Sequence, residues 1–96
     1  MNKTFNELIH QPTRLRIMAI LYVVAEVDMV YLKRKTGITW GNLSSHVSKL
    51  EEADYLVLTK EIVDKKMKTT ICITERGREE FETYRHDLAE LLDIQL

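Results

Sequence analysis

Ninety-six residues bound this chain to one domain with a single modest core. Hydrophobic residues make up 45% and charged residues 30%, the balance of an ordinary globular protein. The longest apolar run, residues 17–25, is far short of the ~20 residues a membrane span needs. Lys3 and Glu7, with no small-residue cleavage site, argue against a secretory leader. The single cysteine, Cys72, cannot close an internal disulfide, so a cytoplasmic protein is expected. The formal charge of −1 hides an uneven distribution. It divides as +2, −1, +2 and −4 over residues 1–25, 26–54, 55–74 and 75–96. Basic charge is thus concentrated early and in the third segment, and acidic charge at the end. Local potential, not the total, attracts a charged partner.

In chain order, residues 3–10 (KTFNELIH) read as a short first helix with Phe5, Leu8 and Ile9 apolar. Pro12 suits the start of a second helix, in which Leu15, Met18, Leu21 and Ala25 follow at helical spacing. Asp28 is an N-cap for a third helix running to Thr36, and Gly37 supplies its left-handed end. Only Gly37 and Ile38 intervene before Thr39, which caps a fourth helix over residues 40–53. There Leu43, Val47 and Leu50 share one stripe. Gly41, Ser45, Ser48 and Glu52 point roughly opposite, flanked by Asn42, Ser44 and Lys49. Leu56, Leu58 and Ile62 alternate, as do Ile71 and Ile73, on either side of DKKMK at residues 64–68, the pattern of a hairpin. Thr74 then caps a long helix with Phe81, Tyr84, Leu88, Leu91 and Leu92 on one face. The expected order is α-α-α-α-β-β-α, a mainly α domain with a small β-hairpin (α+β), spanning residues 1–96.

Two short helices joined by so tight a turn form a helix-turn-helix, which offers its second helix to the DNA major groove. Serine and asparagine are mediocre helix formers, so helix propensity does not explain their density on the outer face of residues 40–53. They can bond base edges or phosphates, and Gly41 would let the backbone approach DNA closely. A solvated face with no partner would more typically be rich in Lys and Glu. Lys65, Lys66 and Lys68 at the hairpin tip are candidate phosphate contacts, and Arg14 and Arg16 beside a helix start are others; ordinary surface charge is the alternative for both groups.

His10, His46, His86 and Cys72 are scattered without CxxC or HxxxH spacing, so no metal site is expected. No nucleophile elbow, phosphate-cradling glycine loop or paired-carboxylate motif is present, which points away from an enzyme and from a cofactor. The last stripe is long for so small a core. Phe5, Leu8 and Ile9 at one end, with Tyr84, Leu88, Leu91 and Leu92 at the other, are expected to pair across a two-fold axis with a second copy. The alternative is a last helix folded back on the chain's own first core helix.

Three strings together resemble the winged-helix transcriptional regulators of MarR/ArsR type: HQPTRLRIMAIL, LKRKTGITWGNLSSHVSKLEEADY and ITERGREEF. The resemblance covers about residues 10–84 and is nearest to compact, stand-alone winged-helix domains. It implies a homodimer on a roughly two-fold-symmetric operator, a recognition helix over residues 40–53 and a wing over residues 60–70. By position, Asn42, Ser44, Ser45, Ser48 and Lys49 would carry recognition, with Thr39 and Gly41 at the start of the same helix. Two features depart from the family pattern. The paired-cysteine metal signature of ArsR proteins is absent, and Asp54 stands where a glycine usually follows the recognition helix. The expected function is a sequence-specific, double-stranded-DNA-binding regulator, a repressor by promoter occupancy; a protein-interaction module within a larger transcription assembly is the alternative.

Overall fold

Each helix begins at a side chain that accepts a hydrogen bond from an otherwise free backbone N–H, and these caps set where the chain turns. In the computed structural model, which describes residues 5–95, Gln11 Oε1 accepts from Arg14 N at 2.7 Å and Asp28 Oδ1 from Tyr31 N at 2.7 Å. Thr39 Oγ1 accepts from Asn42 N at 3.2 Å and Thr74 Oγ1 from Gly77 N at 2.9 Å. The elements that follow are α1 (Pro12–Val24), β1 (Glu26–Asp28), α2 (Met29–Thr36), α3 (Trp40–Glu52), β2 (Leu56–Val63), β3 (Lys66–Ile73) and α4 (Glu75–Leu92).

The winged architecture expected from the sequence is present, with two differences in its elements. The expected first helix does not form within the described part of residues 3–10; Lys3 and Thr4 lie outside the described residues. Asn6 Oδ1 accepts from the backbone N–H groups of Leu8 (3.0 Å) and Ile9 (3.1 Å), and His10 N donates to Asn6 O at 2.8 Å. That is one turn only. Gln11 precedes Pro12 and is held extended (φ −149°, ψ 132°), because proline disfavours the helical region for the residue before it. The second difference is β1, three residues that the sequence pattern did not reveal. It pairs antiparallel with β3, Val27 opposite Ile71, giving a three-stranded sheet of order β1-β3-β2.

The core gathers Ile17, Met18 and Leu21 of α1, Leu32 of α2, Leu43, Val47 and Leu50 of α3, and Leu56 and Ile71 of the sheet. Phe81 and Tyr84 of α4 close it against α1, with the Tyr22 and Phe81 ring centroids 5.0 Å apart. Tyr22 donates its hydroxyl to the Glu82 carboxylate, and Arg85 bonds both. Tyr84 and Ile9, expected at a subunit interface, are therefore corrected to the protomer's own core. The last helix does fold back on α1, and burial there raises the Tyr84 phenol above its ordinary pKa.

Two junctions aim the hairpin. At the end of α3, Asp54 is left-handed (φ 66°), Asp54 N donates to Glu51 O at 2.9 Å and Tyr55 N to Leu50 O at 3.0 Å. This is the Schellman pattern, with buried Tyr55 packed near Leu50. At the start of α4, Thr74 N donates to Tyr55 O at 2.9 Å and Thr74 Oγ1 to Asp54 O at 2.7 Å. A Cβ on Gly77 would lie 2.3 Å from that same Tyr55 oxygen, so α4 meets the base of the hairpin through a glycine. At the other end, Val63 pairs with Lys66 across a two-residue turn, Asp64 (φ 51°) and Lys65 (φ 66°). Positive φ at both positions defines a type I′ turn, which matches strand twist.

Candidate nucleic-acid interface

The outward side of α3 is built from short side chains on a helix fixed at both ends. Gly41, Asn42, Ser44, Ser45, Ser48 and Lys49 are all exposed, while Leu43, Val47 and Leu50 are buried beneath them. Thr39 is exposed too, but its hydroxyl oxygen is engaged as the cap. Trp40, the first residue of α3, was not singled out by sequence. It lies on the apolar stripe of Leu43 and Val47 but overhangs the core, half-exposed, with the Lys33 ammonium 5.7 Å from its ring centroid.

Arg14 and Arg16 are engaged inside the protomer. Arg14 Nε donates to Leu8 O at 2.5 Å and its NH1 group lies 3.0 Å from His46 Nδ1. It therefore ties the N-terminal turn to α3. Arg16 donates to Lys35 O at 2.6 Å and Thr36 O at 3.5 Å, placing a cation at the negative end of α2. Desolvation, then the charges of Arg14 and Lys49, hold the His46 imidazole below its ordinary pKa.

The hairpin lysines divide between faces. Leu58 and Ile71 are partners directed at the core, so strand alternation puts Lys60 with Thr69, and Ile62 with Met67, on that same inner side. Lys66 and Lys68 alternate to the reverse side, Lys68 opposite Glu61 but also bordering a cleft beside Trp40, and Lys65 is in the turn. The tip is thus shorter than the five residues expected, and its inner side carries exposed Ile62 and Met67. Lys60 was not among the sequence candidates, although its even spacing from Leu56 and Leu58 places it on this inner side.

Between α3 and the inner side of the hairpin runs a cleft of about 360 Å³, lined in part by Ser44, Ser48, Glu51, Lys60 and Thr69. A second cleft, about 260 Å³, adjoins it and is lined by Trp40, residues 28–30 and residues 67–69. Met29 and Thr69 line both.

The histidines serve three separate places. His10 Nδ1 lies 2.7 Å from Tyr84 Oη, His46 meets Arg14, and His86 Nε2 lies 3.7 Å from Glu82 Oε1. Cys72 Sγ faces Glu26 Oε2 at 3.6 Å, and burial and that carboxylate raise its thiol pKa. Among the described residues no group of three or more His, Cys, Asp or Glu could hold a metal ion, and no helix is long and apolar enough to cross a membrane.

A capped, exposed second helix of a helix-turn-helix beside a β-hairpin joined to its end defines a winged helix, a class of DNA-binding regulators and not of enzymes. The chain belongs to the winged helix DNA-binding domain family, whose family model matches residues 13–92. It is 36% identical over 89 residues to an uncharacterized protein of Methanocaldococcus jannaschii, covering 93% of this chain and 92% of that one. It is similar to the solved transcriptional regulator homologue of Pyrococcus horikoshii OT3, with a TM-score of 0.86 and 28% identity over 92% of this chain and 87% of that chain. NadR, solved in complex with 4-hydroxyphenylacetate, shares the fold, with a TM-score of 0.75 and 22% identity over 92% of this chain and 62% of its own. The winged-helix part of the resemblance read from the sequence holds in family, and NadR and an ArsR family regulator share the fold.

Proposed function

We propose that this protein is a cytoplasmic transcriptional repressor that occupies a pseudo-palindromic operator as a homodimer. The observation that carries the reading is the row of exposed short polar side chains on α3, Asn42, Ser45 and Ser48 with Gly41 beside them, on a helix whose buried side locks it to the core. Such side chains reach base edges without the entropy cost of long ones, and capping at both ends fixes their register. Lys49 on the same exposed side adds charge toward phosphate. A second copy is the occupant assigned to the end of α4, where Leu91, Leu92 and Ile94 are all more than half exposed and Leu88, Leu8 and Phe5 are only partly covered.

Selection of bound fragments from genomic DNA, followed by affinity measurement, tests the reading. A symmetric consensus is expected. Asn42→Ala and Ser45→Ala should each weaken specific binding by about 1–3 kcal/mol and relax base preference at one position per half-site. Unchanged affinity and specificity in both variants would remove α3 as the reading element.

A further inference from the structure

The flank of α3 away from the hairpin carries a contact that only one protonation state allows. Ser44, Ser48 and Glu51 face the hairpin, and helical phase puts His46 on the opposite side. His46 is half-buried there, between exposed Asn42 one turn before it and exposed Lys49 one turn after it. Arg14 Nη1 lies 3.0 Å from His46 Nδ1. A guanidinium has donors and no acceptor, so Nδ1 accepts and the imidazole is the neutral Nε2–H tautomer. The same guanidinium donates through Nε to Leu8 O at 2.5 Å. One cation thus bridges the N-terminal turn and α3. Protonation of His46 removes its acceptor and sets two cations against each other.

Nothing in the surroundings offsets that repulsion. The charges acting on the imidazole are Arg14 of α1 and Lys49 of its own helix, both cations; desolvation and then these two hold its pKa below the ordinary value. Residues 29–50, spanning α2, the turn and most of α3, contain no Asp or Glu. In the N-terminal turn, Glu7 is exposed and His10 pairs with Tyr84 Oη. A duplex brings the missing anions. A helix with its side chains is about 10–12 Å across and the major groove about 12 Å wide, so a helix seated there has phosphates near both flanks. We propose that duplex binding takes up a proton at His46, so that the Arg14–His46 pair is a latch closed in the free protein and opened by acid on DNA. Phosphates favour the imidazolium, whereas Arg14 and Lys49 oppose it in the free protein, so the bound form holds the proton more tightly. By linkage, affinity then rises as pH falls. Opening the latch does not reverse that sign, which depends only on which form holds the proton better. The proposal rests on α3 entering the major groove, and it makes the grip on DNA acid-responsive.

The test uses the full chain and a duplex selected by the native protein, with affinity measured from pH 7.5 to 5.5 at constant ionic strength. The native protein should gain about three- to tenfold, within the limit of about tenfold per pH unit for one proton. His46→Gln keeps an acceptor for Arg14 and cannot titrate, so its affinity should stay level. Calorimetry in buffers of different ionisation enthalpy should show proton uptake by the native protein and none by this variant. Arg14→Gln removes the bonded cation and should move the rise to higher pH. NMR titration of the native imidazole, which needs no variant, should give a higher pKa with duplex than without. Equal pH profiles for the native protein and His46→Gln, an imidazole pKa unmoved by duplex, or a native affinity that falls in acid overturns the latch while leaving α3 as the reader. Absence of salt-dependent duplex binding by the native chain overturns both.

Discussion

Gly77 shows how one hydrogen atom in place of a methyl sets the geometry of a whole domain. Within a helix, alanine is favoured over glycine by about 1 kcal/mol, so Gly77→Ala would stabilise α4 if space allowed. The carbonyl oxygen 2.3 Å from the would-be Cβ is backbone, and it also accepts from Thr74 N, so it cannot step aside cheaply. Overpacking should win, with a net loss of about 2–3 kcal/mol, read as a lower urea midpoint at unchanged slope. A Gly77→Ala variant as stable as the native protein would refute the close approach. His46 gives a second residue-level expectation. Its folded-state pKa lies below the ordinary value because of desolvation, Arg14 and Lys49. The unfolded chain therefore binds the proton more readily. The stability this provides is full above the ordinary imidazole pKa of about 6.5 and declines as pH falls through it. His46→Gln keeps an acceptor for Arg14 and removes the titration. Urea midpoints measured from pH 7.5 to 5 should fall less in this variant than in the native protein, and parallel falls would exclude His46 as a contributor.

At the level of elements, what the sequence disclosed was local chemistry. Asp28, Gly37, Thr39 and Thr74 mark helix ends because capping needs only neighbours in the chain, and each sits at the expected terminus. The outward side of α3 was legible for the same reason, since helical periodicity alone separates Ser45 from Leu43. Elements that depend on distant partners were not. β1 is three residues long and exists as a strand through its pairing with β3, more than forty positions away. Arg14 and Arg16 looked like free cations because Leu8 O, His46 and the end of α2 reach them only through the fold. That the described residues 5–10 form a single turn and no helix is a different kind of failure. Asn6 and the residue before Pro12 carried the signal, but the apolar spacing of Phe5, Leu8 and Ile9 outweighed it; that spacing reports burial against the core and not helicity. Hairpin parity was equally available, and it separates Lys60 from Lys66 and Lys68 once the turn is known to contain two residues.

For the whole molecule, the decisive property is how two copies would meet. The protomer is elongated, 54 by 25 by 23 Å, and Leu91, Leu92 and Ile94 at the end of α4 are exposed by 66%, 56% and 54%. Tyr84 and Ile9 are already spent in the core, so the apolar surface left at this end, with Phe5, Leu8 and Leu88, is smaller than the sequence alone implied. Joining two such ends across a two-fold axis would bury them and place the two α3 helices about one DNA turn apart, ~34 Å. Leu88 packs against its own core and is a poor probe, because a charge there would damage the fold as well as any seam. Leu91→Asp combined with Leu92→Asp charges only exposed positions. In analytical ultracentrifugation at micromolar concentration the native protein should sediment at about twice its 11.3 kDa chain mass, and the double variant at the monomer mass with an unchanged circular dichroism spectrum. On a selected operator the variant should bind each half-site independently and much more weakly, because the second contact is no longer intramolecular. A native protein that sediments as a monomer would end the symmetric-operator proposal while leaving the proposed reading role of α3 to be judged on a single half-site.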